Sequence, residues 1–194
     1  MNPLAPRVQR RRRTVLSAMC AIAPWSLWLR GGRAVATHAA VEQVKAAYLL
    51  KFPDFVEWPP RTFSTANSPF VIAVSGADDV YVELREMASG SRVLGRAVEV
   101  LRLQNPEPGI VTQLVFVGKD RAGQIPAWVD AYAGRPVVIV ADTAGALESG
   151  AALNFVEIDN RLRFEAAPAA AERSGLRLSS RLLGVAERVL KTRS

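Results

Sequence analysis

Three stretches of the chain are almost wholly apolar: Phe70–Ser75 (FVIAVS), Leu114–Val117 (LVFV) and residues 136–141 (PVVIVA). Runs of this length, rich in β-branched residues, predict strands buried on both faces of a parallel sheet. Residues 97–103 (AVEVLRL) alternate apolar with polar and predict a half-exposed strand. Elsewhere the period is helical. Val41, Val44, Tyr48, Phe52 and Phe55 recur at three- and four-residue spacing, which places them on one helix face with Lys45 and Lys51 off it. Pro53 predicts a kink or an end near Phe52, with a further short turn over residues 54–58 before Pro59-Pro60. Gly76 turns the chain after the first apolar run, and Asp78 or Asp79 can cap a helix reaching about Met87. Ile125, Trp128, Val129 and Tyr132 mark another helix over residues 120–133, with Pro126 in its first turn.

Residues 150–183 carry the densest local signals. Leu153, Phe155 and Ile158 supply one strand, and Leu162 and Phe164 alternate with Arg161, Arg163 and Glu165 in the next. Asp159-Asn160 between them tolerates the positive φ of a two-residue hairpin turn. An alanine-rich helix over residues 166–173 stops at Ser174-Gly175, and Ser179-Ser180 caps a last helix over residues 181–191. Buried strands separated by helices give an α/β fold class. We expect a single three-layer α/β/α domain, its sheet mostly parallel, with a C-terminal antiparallel hairpin.

The net charge of +7 at first suggests a nucleic-acid or anionic partner. Its distribution removes that suggestion. Residues 1–36 hold seven arginines and no acid, and the remaining eighteen basic residues equal the eighteen acidic ones. A neutral domain therefore follows a basic leader, and no nucleic-acid partner is expected. The leader combines the run Arg10–Arg13, an apolar stretch over residues 15–29 and Ala34-Val35-Ala36, a small-x-small cleavage pattern. Arg12-Arg13-Thr14-Val15-Leu16 fits the twin-arginine form of an export signal. The expected organisation is a cleaved signal over residues 1–36 and one domain over 37–194, located in the periplasm.

Candidate chemistry is sparse. Cys20 is the only cysteine and lies in the leader; His38 is the only histidine and follows the cleavage pattern. A Ser-His-Asp triad and a thiol- or imidazole-ligated metal are therefore not expected, and neither is a cofactor. Asp78 and Asp79 with Lys119 and Asp142 imitate a phosphoacceptor site. In such a site, however, the lysine should follow a later strand than the one that precedes Asp142. Asp142 also ends a buried strand, the edge at which open parallel sheets collect ligands.

Several motifs in order resemble the YfiR family. They are Lys45-Ala46-Ala47-Tyr48-Leu49-Leu50-Lys51-Phe52, Val56-Glu57-Trp58-Pro59 and Phe70 to Gly76, then Asn154-Phe155, Arg163-Phe164-Glu165, Ser174-Gly175-Leu176 and Ser179-Ser180-Arg181-Leu182-Leu183. The resemblance implies a periplasmic α/β domain, often a homodimer, that restrains an inner-membrane diguanylate cyclase or another sensor protein. It also implies an outer-membrane peptidoglycan-associated lipoprotein that sequesters the restrainer. Disulfide-based control does not carry over, because residues 37–194 hold no cysteine.

Two functions follow as expectations. The first is a non-enzymatic regulator that binds its partner through Arg163, Glu165, Arg177 and Trp58. The alternative is a small-molecule-binding sensory domain with its ligand at the strand ends around Gly76, Gly118 and Asp142.

Overall fold

The computed structural model describes the backbone of residues 32–191 and the side chains of 40–191. The basic run, the twin-arginine pattern and Cys20 lie outside the described residues. The first helix, α1 (Gly32–Lys51), already includes the cleavage pattern at residues 34–36. It is followed by a 3-10 turn at Phe52–Phe55, with Pro53 buried in it, and by β1 (Val56–Glu57) where a further turn was expected. Next come β2 (Phe70–Ser75), α2 (Asp78–Ala88), β3 (Arg92–Val93), β4 (Arg96–Arg102) and β5 (Leu114–Val117). A 3-10 turn at Lys119–Gln124 leads into α3 (Ile125–Ala131) and β6 (Val138–Ala141). The chain ends with β7 (Leu153–Ile158), β8 (Arg161–Ala166), α4 (Pro168–Arg173), β9 (Arg177–Leu178), α5 (Ser180–Val185) and β10 (Arg188–Val189).

Eight strands form one sheet in the order β10-β8-β7-β6-β5-β2-β4-β3, and β1 pairs with β9 in a separate two-stranded ribbon. Neighbours in the main sheet are parallel except β7–β8 and β3–β4. The central strands explain their continuous apolar runs, because each serves two cores. Phe70, Ile72, Val74, Leu114, Phe116, Val138 and Val140 face the layer that holds α1 and α2. Ala73, Val115, Val117, Ile139 and Ala141 face Ile125, Trp128 and Tyr132 of the α3 layer. The mostly parallel three-layer α/β architecture is thus the one expected, including the antiparallel pair β7–β8. The turn between those strands has Asp159 at φ 50 and Asn160 at φ 57, the left-handed geometry that a two-residue hairpin requires.

Three further local expectations are corrected. The last helix stops at Val185 rather than running on to Lys191, because the chain instead joins the sheet. There Glu187 donates its amide to Phe164 O at 2.8 Å and Leu190 donates to Ala166 O at 2.8 Å. The start of α2 has Ala77 in the cap position with no side-chain cap, so Asp78 and Asp79 act as first-turn charges, favourable to the helix dipole. The inward face of α1 is rotated from the expected one: Val44 is 42% exposed, whereas Glu42, Lys45, Ala46 and Leu49 are buried.

Candidate functional site

That rotation leads to a charged site. Lys45 Nζ lies 2.8 Å from Asp142 Oδ2 and 3.1 Å from the Glu42 carboxylate. The Asp142 side chain is only 7% exposed. Burial, the largest influence, pulls the Lys45 ammonium pKa down, but the hydrogen bond and charge of Asp142, with Glu42 adding to them, outweigh it and leave the group above its ordinary value. The cation is retained. Asp142 Oδ1 is also buried, yet it has no hydrogen-bond partner among the described residues.

Asp142 borders a cleft of about 570 Å³, where Gly76, Asp78, Asp79, Lys119 and Arg121 also line the wall. The topology places it. From β2 the chain leaves through α2 to β4, while from β5 it leaves through α3 to β6 on the other side. The two connections diverge at the carboxyl ends of β2 and β5, the point at which open α/β sheets hold ligands. Gly118 donates its amide to Ser75 O at 2.8 Å, and a Cβ at Gly118 would overlap the Gly76 carbonyl oxygen. Gly76 has φ +66, and a Cβ there would strike the Arg121 side chain. Both glycines serve a close crossing of two loops, and that crossing forms the floor of the cleft.

A polar chain runs from this cleft to the hairpin. Next to Asp142, Thr143 donates its amide to Asn154 Oδ1 at 3.1 Å. The same buried Asn154 donates through Nδ2 to Glu165 Oε2 at 3.3 Å. Glu165 accepts from Arg188 Nε at 2.7 Å and from Nη2 at 3.2 Å, and Arg188 Nη1 reaches Glu148 at 3.1 Å. The Arg188 hydrogen bond is the main influence holding the Glu165 carboxyl below its usual range; partial burial opposes it, and Asn154 adds to it.

The residues expected at a partner surface fall into two pairs. Arg163 and Glu165 share one face of β8, two residues apart; Arg163 is exposed, whereas Glu165 is held by Arg188 and Asn154. Trp58 and Arg177 line a separate cavity of about 530 Å³ beside the β1–β9 ribbon, where Glu57 is opposite Arg177. Trp58 Nε1 donates to Pro53 O at 3.0 Å, and its ring meets Phe70 edge-on, which makes it partly core. The strand-end residues Gly76, Gly118 and Asp142 do meet at one place. Lys45 and Arg188 were missed as site residues, because their partners are remote in sequence.

A family described as YfiR/HmsC-like matches residues 42–187, which include both cavities and the polar chain as far as Glu165. The chain belongs to the YfiR/HmsC-like family. No curated protein matches it. Among solved structures it is similar to the ABC domain from Streptococcus pneumoniae in complex with L-Trp, at 14% identity and TM-score 0.52 over 75% of this chain. It is also similar to a conserved domain protein from Vibrio cholerae, at 11% identity and TM-score 0.47 over 77% of this chain. This YfiR/HmsC-like chain spans 60% of the length of each, and the likeness to the first is one of fold. Among the described residues no helix is long and apolar enough to cross a membrane.

Proposed function

We propose that the protein is a non-enzymatic regulator, exported to the periplasm. There it binds and inhibits the periplasmic part of an inner-membrane signalling protein such as a diguanylate cyclase, and so lowers cyclic-di-GMP and biofilm formation. The observation that carries this reading is the family match over residues 42–187. Inhibition is a population shift: the domain binds the off-state of the sensor better than the on-state. Moving such an equilibrium from about 1:99 to 99:1 takes about 5.5 kcal/mol of differential affinity, within reach of an ordinary interface. Arg163 and Arg177 are exposed and in no ion pair among the described residues, so each can meet an acidic group of a partner without first breaking a bond. Glu165 and Trp58 shape the surfaces on which these two stand. Deleting the gene should raise cyclic-di-GMP and surface attachment. Unchanged levels in a strain that expresses it would contradict the proposal.

A second reading, a small-molecule sensor, is favoured by one observation: the unpartnered Oδ1 of Asp142 at the wall of the switch-point cleft. The ligand would offer a hydrogen-bond donor to that oxygen. A ligand at about 100 times its Kd stabilises a folded protein by about 2.7 kcal/mol, so a thermal-shift screen tests the reading. Loss of the shift in Asp142→Asn would locate the ligand in the cleft.

A further inference from the structure

At the end of the sheet remote from the hairpin, β4 is incompletely covered. Its only outer neighbour, β3, pairs with just Arg96 and Ala97. Leu103 donates its amide to Val74 O at 3.0 Å, on the side of β2. Backbone groups alternate in direction along a strand, so the odd-numbered residues of β4 point to β2 and Val100 and Arg102 point away. Their outward N–H and C=O groups face no strand among the described residues. No proline or bulge shields this edge, and unshielded edges are templates for another strand.

Beside the open edge runs a groove of about 380 Å³. Ala88, Val98 and Val100 are among its lining residues, with Arg85 and Arg92 and no acid. Neither arginine is in an ion pair among the described residues: Arg85 lies over the Tyr81 ring and Arg92 Nη1 donates to Gly95 O at 2.8 Å. A second copy of this chain does not complement the groove. Pairing β4 with itself would bring Val98, Val100 and Arg102 of the copy to the same face; Asp78 is already paired with Arg102 at 3.4 Å and Glu99 points to the opposite face, so the copy's strand offers Arg85 and Arg92 no free carboxylate. We propose that the β4 edge takes an extended segment of another protein as an added strand. That segment carries a carboxylate side chain towards Arg85 and Arg92, and small apolar side chains towards Val98 and Val100. This interface lies at the far end of the sheet from the hairpin, and it stands whether or not the hairpin face binds a partner.

Two synthetic peptides of about seven residues, an ordinary strand length, test it. One alternates threonine with valine and glutamate, the other threonine with valine and lysine. With the full chain, the glutamate peptide should slow amide hydrogen exchange at Val100 and Arg102 by at least roughly tenfold, and the lysine peptide should not. Joint replacement Arg85→Glu and Arg92→Glu should reverse that preference. Val100→Pro removes an outward N–H while leaving the bonds to β2, so it should keep the fold and abolish the slowing at Arg102. If Val100→Pro does not fold, the arginine pair decides alone. Three results would overturn the proposal: no slowing by the glutamate peptide, equal slowing by both peptides, or slowing that rises with protein concentration without peptide, the mark of a second copy.

Discussion

Asp142 and Lys45 form a largely buried ion pair. Each is buried, and each neutralises the other across 97 positions of sequence. Removing one partner strands a charge, which costs about 3–5 kcal/mol, whereas replacing both with apolar residues is often near neutral. Lys45→Met should therefore lower stability to urea by that amount, and adding Asp142→Leu should recover only part of it, because buried Glu42 also loses its bond to Lys45. A single-variant loss no larger than that of a surface change, about 0.5 kcal/mol, would contradict the assignment. The lysine was hidden in sequence for a physical reason. Charges on an amphipathic helix ordinarily face water, and the partner that permits burial lies on a distant strand end. Glu165 gives a pH-dependent counterpart. Its folded pKa is depressed, so its contribution is present above the unfolded carboxylate value, near 4.3, and is lost as pH falls through the folded value. The difference in melting temperature between the wild type and Glu165→Gln should be largest near neutral pH and should close as pH falls below about 4. A constant difference would place the stabilisation elsewhere.

Elements were legible in sequence where one local signal decided them. β2, β5 and β6 are short apolar runs that only a strand buried on both faces can use, and Asp159-Asn160 takes the positive φ that its residue types favour. β4 was legible by its alternation, but its pairing with β3 was not, because the turn is Leu94-Gly95 and Leu94 is held at φ 52, an uncommon conformation for a branched residue. β10 was missed because residues 181–191 suit a helix locally, while the backbone of β8 offers bonds that a helix cannot supply. At the strand ends, the glycines were legible as turn residues but not as crossing points. Gly118→Ala forces the β5 loop off Gly76 and should cost about 1–3 kcal/mol, with the cleft displaced. Chemical denaturation checks this. An unchanged midpoint would show that the loops can separate freely.

For the whole molecule, one sheet supports three surfaces: the switch-point cleft, the hairpin face, and the β4 edge at the opposite end. Asn154 ties the amide of Thr143, the residue after Asp142, to Glu165 by hydrogen bonds, so the backbone beside the cleft is linked to the hairpin. The charge distribution argued against a nucleic-acid partner, and the motif order pointed to the family. The assembly of the site depended on contacts between residues far apart in the chain, which no local pattern encodes. The central claim is regulation by protein contact through the hairpin face. Its most direct test isolates any membrane signalling protein that the tagged protein captures from a membrane extract and measures the affinity for its periplasmic part, for the wild type and Arg163→Glu. Arg163 is exposed and in no ion pair among the described residues, so this substitution should leave the melting temperature unchanged while weakening binding by roughly tenfold or more, the equivalent of about 1.4 kcal/mol. Equal affinity of the two proteins, or no binding by the wild type, would contradict the account.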